Sequence, residues 1–176
     1  MSNFATVAEL SAYLARDIDN ADASATLALS LASDAVRAYI GQDIDLVEDD
    51  EVTLDGSGTV LLLLPQTPVT EVSIVEEDGE ALTFDEDYLW TSWGGLTRLK
   101  RPWVATPRRI VVTYSHGYST VPGPIKAATL ALAGRLIDAP AGVKQETIGA
   151  YSVTYAAGTP TLGETEARLL DQYRNR

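Results

Sequence analysis

The sequence has no cysteine, one histidine, one methionine and two phenylalanines among its 176 residues. The missing cysteines exclude disulfide frameworks, thiolate metal sites and thiol nucleophiles together, and suit a reducing cytoplasm or a particle assembled there. A single histidine excludes metal clusters that need two or more. That residue, His116, falls where a strand pattern ends, so it reads as a turn residue bonding to nearby backbone rather than as a catalytic base. Long apolar runs are also absent: none approaches the ~20 residues needed to span a bilayer. The opening Met-Ser-Asn-Phe-Ala-Thr lacks the basic start and apolar core of a signal peptide. The expectation is a soluble chain, without a membrane partner and not exported by a visible signal.

Positive charge is scarce at one end. Residues 1–97 hold two basic residues, Arg16 and Arg37, and 20 of the 25 acids, a net charge of −18; residues 98–176 hold 11 basic and 5 acidic residues, a net charge of +6. An acidic surface that keeps the protein soluble accounts for part of this. A polar distribution of this kind also fits a module stacked between two different partners, or one lining a passage where nucleic acid slides without sticking.

Apolar periodicity divides the chain into helical ends and a strand-rich middle. Thr6-Val7-Ala8-Glu9 has capping-box spacing, which predicts a helix from 6 to about 17 with Val7, Leu10 and Leu14 on one face. A second helix over 21–40 takes Leu27, Leu31, Ala35 and Tyr39 as its apolar stripe, with Gly41 ending it. Between 51 and 115 the period becomes that of strands. Asp55-Gly56-Ser57-Gly58 predicts a hairpin between 52–54 and 59–64, and Glu77-Asp78-Gly79-Glu80 predicts a second. Strands at 88–90, 96–99 and 109–115 complete an antiparallel meander of six or seven. Pro124 suits the first turn of a helix running to about 138, with Ile125, Ala128, Leu132 and Leu136 on one face and 139–142 ending it. Alternation over 145–157 then predicts a strand, and Thr161-Leu162-Gly163-Glu164 a capping box for a short last helix bearing a Glu164–Arg168 pair. The fold class is α+β, in one domain over 1–176: an N-terminal helical hairpin (1–47), a β-meander insertion (51–115), and a helix, strand and C-terminal helix (122–176).

No catalytic constellation emerges. Glu48-Asp49-Asp50-Glu51 lacks the spaced pattern of a calcium loop and reads as a solvated acidic linker. Asp55-Gly56-Ser57-Gly58 is followed by no helix and no Lys-Ser or Lys-Thr, so it is not a phosphate cradle. Asp85, Glu86 and Asp87 near Trp90 and Trp93 suggest a carbohydrate site, although acids beside half-buried aromatics are common in small sheets. Arg98, Lys100, Arg101, Arg108 and Arg109 cluster around Trp103. That cluster fits contact with DNA phosphates or with an acidic partner, and equally a strand edge guarded by charge.

Thr113-Tyr114-Ser115-His116-Gly117-Tyr118, Val121-Pro122 with Ile125-Lys126, the segment from Glu146 through Tyr155, and Ala35-Val36-Arg37-Ala38-Tyr39-Ile40-Gly41 together resemble the head-to-tail connector (adaptor) proteins of tailed bacteriophages, in the form found among actinobacteriophages. The resemblance covers both ends of the chain; the long central meander departs from the mostly helical compact members. It implies a structural virion protein with no catalytic residue, metal or cofactor. It further implies a ring, usually dodecameric, between the portal protein and a stopper or tail-completion protein, continuing a channel through which genome DNA passes without sequence-specific binding. The protein would then sit at the head–tail interface of the virion, and in the host cytoplasm during assembly. On this reading Tyr151, Val153 and Tyr155 anchor a contact between subunits, and Arg168, Tyr173, Arg174 and Arg176 meet the portal. The alternatives are a stopper or tail-completion protein, or a small carbohydrate-binding module.

Overall fold

The computed structural model describes residues 2–138, 145–148, 151–154 and 161–174. Two compact units emerge, one built from 1–41 with 121–174 and one from 42–120. The chain thus carries its strand-rich middle as a unit interrupting a helical one, and the fold is α+β with antiparallel sheets.

In the helical unit, α1 (Val7–Leu14) starts at Thr6, whose side chain accepts from the Glu9 N–H while the Glu9 carboxylate accepts from the Thr6 N–H. This reciprocal pairing satisfies two of the donors that every helix start leaves free. Thr6→Ala should cost about 1 kcal/mol, read as a lowered thermal midpoint of the full chain. The helix stops at Ala15, in a left-handed conformation, two residues before the expected end.

The second helix, α2 (Ala23–Ile40), is capped by the Asp22 carboxylate and ends at Gly41, whose φ of 73° is the left-handed geometry expected there. Its buried face differs from the expected one. Ala25, Ala28, Leu29, Ala32, Ser33, Val36 and Ile40 face inward, whereas Leu27 and Leu31 are exposed. The i+4 ladder picked out the larger residues, but the small ones are buried because they allow another helix to approach closely. That helix is α3 (Gly123–Asp138), whose Leu130, Leu132 and Ala133 share a core with Ala25, Ala28, Leu29 and Ala32. Ile125, Ala128 and Leu132 are buried as the sequence predicts. Ser33, buried among them, donates its hydroxyl to the Leu29 carbonyl and accepts from the Phe4 N–H, so no polar atom of its side chain is wasted.

The last helix, α4 (Glu164–Leu170), is followed by a 3-10 turn (Asp171–Tyr173) and seats Leu170 in the interior. It starts at Gly163 rather than at Thr161, because Glu166 reaches back to the Gly163 N–H and is itself held by Arg135. The expected Glu164–Arg168 pair forms at 2.6 Å.

The strand-rich unit contains seven strands in two sheets. One runs in the order β1 (Val47–Leu54), β7 (Ile110–His116), β3 (Val69–Glu77), β4 (Glu80–Ala81), and the other β2 (Leu61–Leu63), β6 (Gly95–Arg98), β5 (Tyr88–Trp90). The hairpins at Asp78-Gly79 and between β5 and β6 form as expected. The one expected at Asp55-Gly56-Ser57-Gly58 does not: β1 pairs with β7, and β2 with β6. Register against β7 sets Val52 opposite Val112 and Leu54 opposite Ile110, which places both on the buried side. Their apolar gain is non-local, and a local hairpin would forgo it. The four-residue segment carries the chain from one sheet to the other. Gly56 donates to the Thr106 carbonyl at 3.0 Å, and a Cβ on it would lie 1.8 Å from the Val104 carbonyl oxygen.

Two further readings change with β1. The acidic run 48–51 is strand rather than linker. Its charges line an edge strand, a position where charge discourages pairing with foreign chains. His116 lies within β7, buried, with Nε2 at 3.3 Å from Asp50 Oδ2, and is not a turn residue.

The segment read as one strand over 145–157 forms two, β8 (Gln145–Ile148) and β9 (Tyr151–Thr154), paired antiparallel with each other from Gln145 opposite Thr154 to Ile148 opposite Tyr151. The helix end expected at 139–142 and the residue Tyr155 lie outside the described residues.

Candidate functional site

The cationic cluster resolves into an ion-pair network around one buried carboxylate. Glu77 sits at the end of β3 with its side chain directed inward; Arg98 Nη2 donates to its Oε2 at 2.6 Å, Arg101 Nη2 lies 2.7 Å from the same oxygen, and the Val104 N–H donates to Oε1 at 2.8 Å. Burial pushes the Glu77 carboxyl up, but the bonds from Arg98 and Val104 outweigh it and hold it below the usual carboxylate range. Arg98 also donates to the Asp87 carbonyl and lies over the Trp103 ring, 5.2 Å from its centroid. At 5% exposed, Arg98 has no face for DNA or a partner protein, which corrects its place in the predicted contact surface. It is drawn inward because Glu77 and the Trp103 ring together replace the water it loses.

The other members stay at the surface. Lys100 pairs with Asp87 at 3.1 Å, Arg109 lies 3.5 Å from Asp78, and Arg108 fixes its loop through its N–H, which donates to Asp55 at 2.8 Å. Asp87 also accepts from the Thr83 N–H, and that bond with the Lys100 one holds its carboxyl below the usual range.

The sugar-site candidates are not assembled into one platform. Asp87 is committed to Lys100, and the two tryptophans lie on opposite faces of the second sheet. Trp90 packs against the core with Leu96, while Trp93 is 58% exposed. The Trp93 ring lies over Gly95, where a Cβ would come within 2.4 Å of it, so only glycine leaves the sheet flat enough to carry the indole. Around it the outer face holds Leu61 opposite Thr97 opposite Leu89, and Leu63 opposite Gly95. Sequence reading missed this face. The leucine run 61–64 signalled it, since alternation must send Leu61 and Leu63 to the side away from Leu62 and Leu64.

At the C-terminal end, Tyr39 of α2 donates to Asp171 at 2.7 Å and carries the Arg174 guanidinium 5.1 Å above its ring. The bond to Asp171 raises the Tyr39 phenol pKa. Arg168 points to Glu164. Of the residues expected to meet a portal, Arg168, Tyr173 and Arg174 therefore lie on or next to α4, and Arg176 lies outside the described residues. Tyr151 and Val153 belong to β9, in a two-strand sheet separate from the others.

Nothing in these arrangements brings together a nucleophile, a base and an orienting group, and among the described residues no group of three or more acidic or histidine side chains could hold a metal. Comparison with solved structures finds the same fold in chains of gene transfer agent (GTA) particles. One is from the neck of the native particle computed with C12 symmetry, 14% identical, covering 97% of this chain and 88% of that one, with a TM-score of 0.56. Another is from the neck of the empty particle computed with C6 symmetry, 16% identical, covering 97% and 89%, with a TM-score of 0.58. A third, from the virion of the native particle, is 15% identical over 97% and 89%, with a TM-score of 0.61. Comparison with curated proteins returned no match. The sequence model of head completion proteins matches residues 3–176, so the chain belongs to that family, a family of structural head–tail connector proteins rather than enzymes.

Proposed function

We propose that copies of this chain form a ring at the neck of a phage-like particle, between the portal and the tail or stopper, and continue the channel through which DNA passes. The observation that carries the reading is the fold, shared over 97% of the chain with a neck subunit from a particle computed with C12 symmetry, in a member of the head completion family. Charge supports it. The strand-rich unit holds fifteen acids and five basic residues, a net of −10, and a negative lumen repels phosphates and lets DNA slide without lodging.

Within the ring, the β8–β9 pair, which joins no other strand among the described residues, offers its edges to a neighbouring subunit, the natural partner for an edge that would otherwise recruit foreign chains. Tyr151, Val153 and Tyr155 are the anchors of that contact. Arg168, Tyr173, Arg174 and Arg176 face the portal, and the exposed Lys100, Arg101, Arg108 and Arg109 are left for DNA or an acidic neighbour.

The test is to recover the tagged chain from cells assembling particles, image the complexes by electron microscopy and identify companions by mass spectrometry. A ring seated against a portal is the expected image; recovery without any portal, capsid or tail protein would overturn the reading. Tyr151→Asp with Val153→Asp should abolish ring formation while the far-ultraviolet circular dichroism and melting of the chain stay unchanged. Normal rings from that double variant would remove the hairpin from the subunit contact.

A further inference from the structure

We infer that the outer face of the β2–β6–β5 sheet, with Trp93 laid over one end of it, is a docking surface for a second copy of this chain, and that it receives the exposed Leu27 and Leu31 of the neighbour's α2. The inference rests on the ring reading above and names the surfaces that would close the ring.

The sheet face is built for burial. Leu61, Leu63 and Leu89 are exposed and share it with Trp93. The indole is laid flat on Gly95, pre-positioned at no further entropic cost, which is the condition that makes aromatic side chains strong anchors. Charge is cleared from this face: β2, β5 and β6 contain no acidic residue, in a unit that carries fifteen. Interface cores are depleted of charge in this way, since a buried unpaired carboxylate is costly.

The occupant follows from charge and symmetry. Pairing the sheet face with the same face of another copy would bring two units of net −10 together, whereas the helical unit holds ten acids and eight basic residues, a net of −2. A head-to-tail contact between unlike faces sets −10 against −2 and so lessens that repulsion, and it is the kind that generates rings when its rotation closes. The helical unit presents a suitable counterpart: Leu27 is 60% exposed and lies one turn from the exposed Leu31 on α2. Asp34, one turn further on, is already paired with Arg37 at 3.3 Å. Two leucines at i, i+4 spacing are the anchors by which a helix seats on an apolar surface.

The absence of cysteine makes the test clean. Leu31→Cys and Leu63→Cys are introduced singly and together into the full chain, and assembled necks are treated with a short bis-maleimide. The double variant should give a ladder of covalent multimers and each single variant only monomer. In parallel, Trp93→Lys should weaken subunit association about thirtyfold, the loss typical of a central aromatic anchor, with an unchanged melting curve. Dimers from Leu63→Cys alone would show the face meeting itself, and coupling of Leu63→Cys to a different protein would show another occupant; either overturns the inference. No ladder despite rings in the micrographs overturns the inference and leaves the ring reading standing. No rings at all overturns both.

Discussion

Arg98→Met should destabilise the strand-rich unit by about 3–5 kcal/mol, the cost of leaving a buried carboxylate without its main cation. Glu77 is itself almost fully buried, and only Arg101 and the Val104 N–H would remain against it. Arg101 is half exposed, so water screens its contact with the carboxylate more than that of Arg98. Urea unfolding followed by tryptophan fluorescence reads the loss, since Trp103 lies beside the network. Adding Glu77→Gln removes the charge and keeps an acceptor for Val104, so the double variant should recover more than half of the loss. If it does not, packing rather than charge is what Arg98 supplies.

The same network sets a pH dependence. The folded chain holds the Glu77 carboxyl below the ordinary carboxylate value of about 4.5 through the bonds from Arg98 and the Val104 N–H. A carboxylate with a depressed folded pKa contributes stability that is complete above the unfolded pKa and lost as pH falls through the folded one. Wild-type stability from Glu77 should therefore be undiminished at neutral pH and decline only below about 4.5. In Arg98→Met the acid-unfolding midpoint should move to higher pH.

Gly56→Ala is the second large effect, expected at roughly 3 kcal/mol or more, because the clash is with backbone rather than with a side chain that can turn away. The added Cβ would sit 1.8 Å from the Val104 carbonyl oxygen. Relief requires the loop at Val104 to move, and the Val104 N–H is one of the donors that hold Glu77. The two sites are thus coupled, and Gly56→Ala combined with Arg98→Met should cost less than the sum of the two. Full additivity in urea unfolding would show that the chain at Gly56 relaxes away from Val104 rather than pushing it.

A structural role in head completion accounts for described residues that form ion pairs and networks but no reactive constellation. The polar groups that looked available in the sequence are mostly spent on holding loops: Asp87 on Lys100 and the Thr83 N–H, Asp55 on the Arg108 N–H, Glu166 on Arg135 and the start of α4. The exposed large apolar residues, among them Leu27, Leu61, Leu63 and Trp93, have no such duty and suit contact with other proteins.

The sequence by itself determined the elements whose cause is local. Thr6 with Glu9, Gly41 after Ile40, Asp78-Gly79 between two apolar runs and Glu164 four residues before Arg168 each act within one turn of chain, and each forms as read. The connector resemblance was legible for a related reason: motifs such as Thr113 to Tyr118 are contiguous, and the family match over 3–176 agrees with it.

Only tertiary structure decided what depends on a distant partner. Val52 and Leu54 have apolar faces that either a hairpin or β7 could bury, and β7 wins because it buries them on the core side of a larger sheet. The buried face of α2 is the one lined by alanines, since helix approach rewards small residues that periodicity ranks below leucine. Arg98 reads as one of five neighbouring cations, yet Glu77, twenty-one positions back, draws it alone into the interior. Periodicity and capping report energies of a single turn, whereas burial is settled by residues far apart in sequence that compete for the same interior.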